Sequence, residues 1–484
     1  AMTGSQRTSS LPAVPTFAEL GLKGFEPVGF FLVLAPAGTP KDVLAKVSGG
    51  IARAIKSTDL STKWRELGLE AVGSTPEELG AEMKTLAENM DRAIKAPKIK
   101  LDNRSVGPGM RTVLREDHEA FRVQVRRFVE REIAPHHLEW EEAGRVPLSL
   151  WQAAGQAGLL CTTLPDPYGG GGDFGHAAVI IEELARVNAT GVGFSLHSEV
   201  VAPYLNAYGN DWQKQRWLPG MAQGQTVGAI AMTEPDVGSD LKAIRTRAER
   251  DGEHYVLTGQ KTYISNGLNA GLVIVVAKTD PEKAAKGISL LVVEDGMPGF
   301  ERGRALRKIG LRGQDTAELF FDQVRVPVSH LLGEENQGFR YLMHQLAQER
   351  LVIAVRAAAS IEAFLVRTIA WTRERKVFGQ SVFDYQNTRF KLAEAKAKSV
   401  MLRTFVDDCL ARHLRGELDA ERAAMAKLNA SEMQNQLLDE LLQMHGGTGF
   451  MADGGIGSAW VDARVARIYG GSNEIMKEIV ARGL

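Results

Sequence analysis

The chain has 484 residues, of which 44% are hydrophobic and 24% charged, and its formal net charge is −1. That length suits about three domains with sizeable cores, and the balanced charge gives no electrostatic footprint for nucleic acid or an anionic membrane. The longest apolar stretches, such as 271–277, fall far below the roughly 18 residues of a membrane span.

Residues 1–102 form a first segment. Pro36-Ala37-Gly38-Thr39-Pro40 marks a turn, and Val43, Val47, Ile51 and Ile55 follow at helical spacing. Gly73-Ser74-Thr75-Pro76-Glu77-Glu78 predicts a second helix start, with Ser74 or Thr75 as cap, and that helix runs to about Ile94. Residues 103–113 read as a linker, rich in Gly, Pro and Ser.

From 114 to 227 the pattern is helical, beginning with Phe121, Val125, Phe128 and Val129 and broken by the glycine run 168–172. From 228 to 337 it changes to short β-branched runs between Gly, Asp and Pro turns, at 255–257, 272–277, 288–293 and 319–326. From 338 to 484 long helices return. Helices, then strands, then helices predict an α+β chain of segregated domains and argue against alternating βαβ units. Cys161 and Cys409 lie far apart without metal-ligand spacing, so they read as buried free thiols, with no metal site expected. Free thiols suit a reducing cytoplasm, and residues 1–20 lack a basic head followed by an apolar core, so a cytoplasmic setting is expected.

Four motifs carry candidate chemistry. Met232-Thr233-Glu234-Pro235-Asp236-Val237-Gly238-Ser239 is either a plain turn or a loop of N–H and hydroxyl groups suited to a flavin edge or a phosphate. Gly259-Gln260-Lys261-Thr262-Tyr263-Ile264-Ser265 follows it. There, an aromatic at Tyr263 could cover a flavin face and Ser265 could donate to the ring. Arg373-Glu374-Arg375-Lys376-Val377-Phe378-Gly379, with Gln386 beyond, is either a charged helix end or a guanidinium site for a diphosphate. In Gln443-Met444-His445-Gly446-Gly447-Thr448-Gly449 the glycines permit close backbone approach to a ligand. No GxGxxG fingerprint follows a strand, so a dinucleotide-binding Rossmann domain is not indicated.

These motifs, in this order over about 370 residues, resemble the acyl-CoA dehydrogenase family, in particular its long-chain-type branch, over about 114–484. The resemblance implies a helical domain, a β domain and a four-helix bundle, usually assembled as a homotetramer. It implies FAD, with Met232, Thr233 and Ser265 at the flavin ring, Tyr263 against it, and Ser239 at the cofactor and the thioester arm of CoA. It also implies cofactor contacts from Arg375, Phe378 and Gln386 of a neighbouring subunit and from Gln443, Gly446, Gly447, Ser472 and Glu474. The family often carries tryptophan where this chain has Tyr263.

The C-terminal string Tyr469-Gly470-Gly471-Ser472-Asn473-Glu474 poses the main question. In one branch of that family the residue after the tyrosine is the catalytic glutamate; here it is Gly470. The long-chain and isovaleryl branch places the base on an earlier helix, where this chain has Gln348-Glu349-Arg350. Glu349 shares a helix face with Leu342, Leu346 and Ile353, so partial desolvation should raise its pKa toward that of a useful base. The resemblance then implies dehydrogenation of an acyl-CoA to a trans-2-enoyl-CoA in fatty-acid β-oxidation. Glu349 would take the α-proton and flavin N5 would receive hydride. An electron-transfer flavoprotein would be the acceptor. A flavin ribityl hydroxyl and the Gly470 N–H would hold the enolate oxygen. Arg350, Tyr469, Gly470 and Gly471 would line the substrate, with Arg350 at the CoA adenosine phosphate.

Residues 1–102 resemble the C-terminal part of periplasmic solute receptors of the tripartite tricarboxylate transporter family. About a third of such a receptor is present, which leaves its two-lobed cleft incomplete and makes the segment an extra α/β module. It motivates a rival reading, a non-catalytic CoA- or solute-binding scaffold. Further rivals are a flavoprotein oxidase and an eliminase acting on a CoA thioester. His197 reads as a structural histidine in preference to a pocket-lining one.

Overall fold

The computed structural model describes residues 111–452 and 455–484, together with 38–55, 72–95 and the single positions 14, 16, 19, 32, 33, 35, 57 and 64. The chain divides into two compact units, Ala1–Gly109 and Met110–Leu484. In the first unit, α1 spans Lys41–Ile55 and α2 spans Pro76–Lys95. None of the α1 residues is buried, so its predicted apolar face is largely open within this unit. Thr75 starts α2: its hydroxyl accepts from the Glu78 N–H, and the Glu78 carboxylate accepts from the Thr75 N–H, a capping box. The expected linker up to residue 110, and the stretches 11–13 and 96–102, lie outside the described residues.

The second unit opens with α3 (Glu116–Phe128), α4 (His137–Ala143), α5 (Leu148–Gln156) and α6 (Phe174–Arg186). A π-helical turn, His197–Val201, leads into α7 (Ala202–Tyr208), and α8 is Asp211–Ala222. Seven strands follow: β1 (Val227–Ala231), β2 (Arg247–Asp251), β3 (His254–Ser265), β4 (Ala270–Lys278), β5 (Ile288–Glu294), β6 (Phe300–Ala305) and β7 (Thr316–Pro327). The chain ends with α9 (Gly338–Glu374), a small hairpin β8–β9 (Lys376–Val377, Gln380–Ser381), α10 (Gln386–Leu414), α11 (Ala420–His445), α12 (Ile456–Ala463) and α13 (Asn473–Ala481).

The four apolar runs expected as strands lie in β3, β4, β5 and β7. The sequence pattern missed β1, a short run of five residues, and also β2 and β6, because Arg-Ala-Glu-Arg-Asp is mostly charged and exposed and Phe-Glu-Arg-Gly-Arg-Ala is half charged, with no apolar alternation. Strand order is β1-β4-β2-β3-β7-β6, with β5 also paired to β4. Both faces of β4 are covered. Leu272, Ile274 and Val276 join a core with Val201, Tyr204, Leu205 and Leu342 of the helices, while Val273, Val275 and Ala277 pack inside the sheet domain with Leu257, Leu319 and Phe321. Burial on two sides explains why β4 reads as a continuous apolar run.

Helix α9, 37 residues long, belongs to two cores. Its Leu342 joins the sheet-facing core, whereas Leu351, Ala354, Val355, Ala358 and Ile361 join the helical core with α3, α6, α10 and α11. Glu349 lies at the junction.

A charge network ties the helices together. Glu182 of α6 accepts from Arg111 at 2.6 Å, Arg122 of α3 at 2.9 Å and Arg403 of α10 at 2.9 Å, and Arg403 also pairs with Glu362 of α9. Burial opposes ionisation of Glu182, but three guanidiniums win and hold its pKa down at about 2. Its stabilisation is therefore complete above the unfolded value near 4.5 and is lost as pH falls through about 2. Replacing Glu182 with Gln removes a carboxylate that three guanidiniums share, while Asp407, Glu119 and Glu362 remain as their partners, and should cost roughly 1–3 kcal/mol. Denaturant unfolding followed from neutral to acid pH should show this loss, with the variant showing less additional loss in acid.

Candidate active site

Glu349 is placed by its helix. It keeps some accessible surface, and the protein around it pushes its pKa up to about 7 by desolvation. Tyr204 of α7 donates its hydroxyl to Glu349 Oε1 at 2.9 Å. The next residue upstream, Gln348, donates to the Glu199 carbonyl at 2.7 Å and accepts from His413 Nε2 at 2.9 Å.

Gly470 lies against the same stretch of α9. Its φ is +65°, and a Cβ built there would stand 2.4 Å from Cδ1 of Ile353, one turn beyond Glu349. The left-handed backbone strains any side chain there, and a Cβ would have to push the tip of Ile353 aside. The adjoining loop is fixed from below: buried Lys427 donates to the Gly471 carbonyl at 2.7 Å and to Asn473 Oδ1 at 2.8 Å. Burial, with the nearby Arg350, lowers the Lys427 pKa to about 8. Ser472 caps α13 by accepting from the Ile475 N–H, and Glu474 stands exposed in its first turn. Tyr469 borders a separate cavity of about 30 Å³ shared with Ser195, Arg356 and Asp462.

Arg350 is 4% exposed, and its Nε has no hydrogen-bond partner among the described residues.

The Met232–Ser239 loop leaves the end of β1. Lys261 holds it, donating to the Met232 carbonyl at 3.0 Å and to Glu234 Oε1 at 2.9 Å. Glu234 also accepts from the N–H groups of Arg245 and Thr246, and the Thr233 carbonyl accepts from the Thr262 N–H. Just past Lys261 the β3 register breaks, and Tyr263 sits at φ +59° with its ring 69% exposed. A bulge that holds a bulky residue in the left-handed region re-aims its side chain, and strain of this kind gathers at ligand sites. Ser265 is half-buried at the end of β3, and Ser239 is exposed.

The remaining expected cofactor residues stand elsewhere. Arg375, Gln386, Gln443, Gly446 and Gly447 are exposed, and Phe378 is 99% exposed at φ +49° on the β8–β9 hairpin. Thr368 bonds His445 at 3.0 Å and Trp371 stacks on the same ring, so the ends of α9 and α11 lie together. Arg375 is 26 residues beyond Glu349, about 39 Å along a helix at 1.5 Å per residue. One copy of the chain therefore brings Glu349 and Gly470 together but leaves the Arg375–Phe378 and Gly446–Gly447 group at the far end of the bundle.

His197 is structural. Its Nδ1 accepts from the Gly228 N–H at 2.9 Å, its Nε2 meets the Met221 carbonyl at 3.1 Å, and burial lowers its pKa to about 4. Asp117, His118 and His176 also cluster, but His118 spends one nitrogen on the Arg115 N–H and the other on Asp173, closing two helix starts. Sequence reasoning missed Tyr204, Lys261, Glu234 and Lys427. Glu234 and Lys261 stand inside two of the motifs, Tyr204 and Lys427 in ordinary mixed runs, and only the fold gives each its partner.

Three family models match consecutive parts of the chain: acyl-CoA dehydrogenase N-terminal domain over 115–225, middle domain over 229–324 and C-terminal domain over 336–484. The chain belongs to the acyl-CoA dehydrogenase family. Residues 1–99 match the tripartite tricarboxylate transporter family receptor. The mitochondrial long-chain specific acyl-CoA dehydrogenase of Sus scrofa is 50% identical over 377 residues, 77% of this chain and 88% of that protein. An acyl-CoA dehydrogenase from Geobacillus kaustophilus superposes with TM-score 0.75 at 45% identity, covering 76% of this chain and 98% of that one. A glutaryl-CoA dehydrogenase from Mycobacterium smegmatis, solved in complex with FADH2, gives TM-score 0.71 at 28% identity, covering 77% and 95%.

This acyl-CoA dehydrogenase is thus a flavoprotein oxidoreductase acting on a CH–CH bond, with FAD as its cofactor. The residues present fit that group: the loop at Thr233 is anchored by a buried ion pair, and Tyr263 offers an exposed ring on a strained bulge. No described helix is long and apolar enough to cross a membrane. Gly470→Ala should cost roughly 1–3 kcal/mol from left-handed strain and overpacking. The same change made in Ile353→Val, which removes the clashing Cδ1, should cost less, as read by thermal unfolding.

Proposed function

We propose that the chain converts an acyl-CoA thioester to the trans-2-enoyl-CoA, with Glu349 as the general base. The observation that carries this is the Glu349 carboxyl itself, partly accessible, held by Tyr204 and with its pKa pushed up to about 7, beside a Gly470 that carries no competing carboxylate. A base must be ionised to act, so turnover should rise with pH through about 7. The Gly470 N–H is the donor this chain offers to the enolate oxygen that develops as the α-proton leaves. Bound FAD supplies the two-electron acceptor for the β-hydrogen. Thr233, Tyr263 and Ser265 would hold its ring end, with Met232 and Ser239 on the same loop.

The far-end group supports a second part of the reading. Arg375, Phe378, Gln386, Gln443, Gly446 and Gly447 are exposed and remote from Glu349 on one chain, so they serve the FAD of a neighbouring copy within a homotetramer. Ser472 and Glu474 add contacts beside Gly471. Electrons would leave to an electron-transfer flavoprotein; a structural neighbour at 32% identity is described as an electron transferring flavoprotein of Acidaminococcus fermentans. The similarity to long-chain enzymes makes long straight-chain acyl-CoAs the first substrates to try.

The test is Glu349→Gln. It should keep its flavin and bind acyl-CoA, yet lose on the order of 10²–10⁴ in turnover with an artificial acceptor and a panel from butyryl- to palmitoyl-CoA. Turnover close to that of the unaltered protein would reject Glu349 as the base. The chain from Met110 onward, produced alone, should remain a folded flavoprotein with similar turnover, since that unit holds every residue assigned to the site. Flavin content and steady-state rate check this.

A further inference from the structure

We propose that Tyr204 is the positioning residue of the catalytic carboxylate: its phenol holds one oxygen of Glu349, tunes the base, and leaves the other oxygen for the substrate. The inference rests on the assignment of Glu349 as base.

Tyr204 has no exposed surface, and its ring packs in an apolar cluster with Leu164, Val201, Leu205 and Leu342. A phenylalanine would fill the same volume, so packing does not account for the hydroxyl. A buried phenol needs a partner, and this one finds Glu349 Oε1 at 2.9 Å. Among the described residues no other hydrogen bond reaches the Glu349 carboxylate. The second oxygen is therefore free to meet a proton.

The scaffold around this bond is built to hold it. Tyr204 follows the π-helical turn His197–Val201, an irregularity that inserts an extra residue in the turn and shifts the face that follows. The turn is clamped to α9 next to Glu349, because Gln348 donates to the Glu199 carbonyl and is itself held by His413. Burial lowers the His413 pKa to about 4, so its ring stays neutral and donates Nε2–H to Gln348 Oε1. Two neighbouring α9 residues, Gln348 and Glu349, are thus bonded to one continuous segment, 199–204.

The electrostatic consequence has a definite sign. Donation to the ionised carboxylate favours that form, while burial favours the neutral acid. Removing the hydroxyl should raise the Glu349 pKa further. The other charged or titratable groups around the pair are Tyr208 on α7, Glu199 in the π turn, His344 and Arg350 on α9, and Lys427 on α11 beyond Arg350. Glu199 needs a control, because burial also puts its pKa at about 7.

The experiment measures kcat/KM against pH for the flavin-loaded full chain and for Tyr204→Phe, with an acyl-CoA from the panel and an artificial acceptor. The acid limb should move up by roughly one to two pH units, the worth of a hydrogen bond to a charged group. Activity at neutral pH should fall by roughly ten- to a hundredfold, recover toward alkaline pH, and leave flavin content unchanged. Adding Tyr204→Phe to Glu349→Gln should change the residual rate little, and the limb shift should persist in a Glu199→Gln background. An unmoved acid limb, a pH-independent loss, or loss of flavin would overturn the proposal, as would disappearance of the shift in Glu199→Gln. If Glu349→Gln is inactive while the Tyr204→Phe profile is unmoved, only the Tyr204 role fails. If Glu349→Gln retains turnover, the base assignment has failed instead.

Discussion

The site depends on one helix that must satisfy two cores. The first turns of α9 pack against the sheet-facing cluster through Leu342, and its middle is buried among α3, α6, α10 and α11 through Leu351, Ala354, Val355 and Ile361. Small residues at 354 and 357–359 allow the close approach of neighbouring helices. A carboxylate between these two apolar interfaces is desolvated without being sealed in. That is the condition under which a glutamate becomes a base that works near neutral pH. Moving the register of α9 by one residue would turn Glu349 away from Tyr204.

Around that helix, buried charges fix irregular backbone where regular structure cannot. Lys261 and Glu234 satisfy the carbonyl and N–H groups of the loop that leaves β1, and Lys427 does the same for the Gly471 loop. Glu182 joins three helices through Arg111, Arg122 and Arg403. Interior ion pairs gain little net stability over apolar packing, but breaking one strands a charge, so they select a single loop conformation. The positions closest to the proposed chemistry, 232–239, 349 and 470–473, are each one step from a buried charge or from a buried phenol.

The four motifs that marked the family were legible because they pair unusual composition with order along the chain. The strands at β3, β4, β5 and β7 were legible because apolar side chains had to be buried. Strands β2 and β6 were not, since as charged, exposed strands they carry no pattern that burial would impose. The burial of Arg350 near Lys427 was not legible either, because the groups that cover it come from other helices.

By itself the sequence determined the family, the succession of helical, β and helical regions, and the fact that the carboxylate missing at Gly470 has a counterpart at Glu349. These follow from local composition, periodicity and motif order, which a linear chain displays directly. Only the tertiary structure decided that a side chain at Gly470 would press on Ile353, that Tyr204 meets Glu349 from 145 residues away, and that Arg375 and Phe378 stand far from Glu349 on the same chain. The reason is physical. Desolvation, steric exclusion and hydrogen bonding depend on which atoms lie within a few ångströms, and for these residues the deciding atoms come from distant parts of the chain.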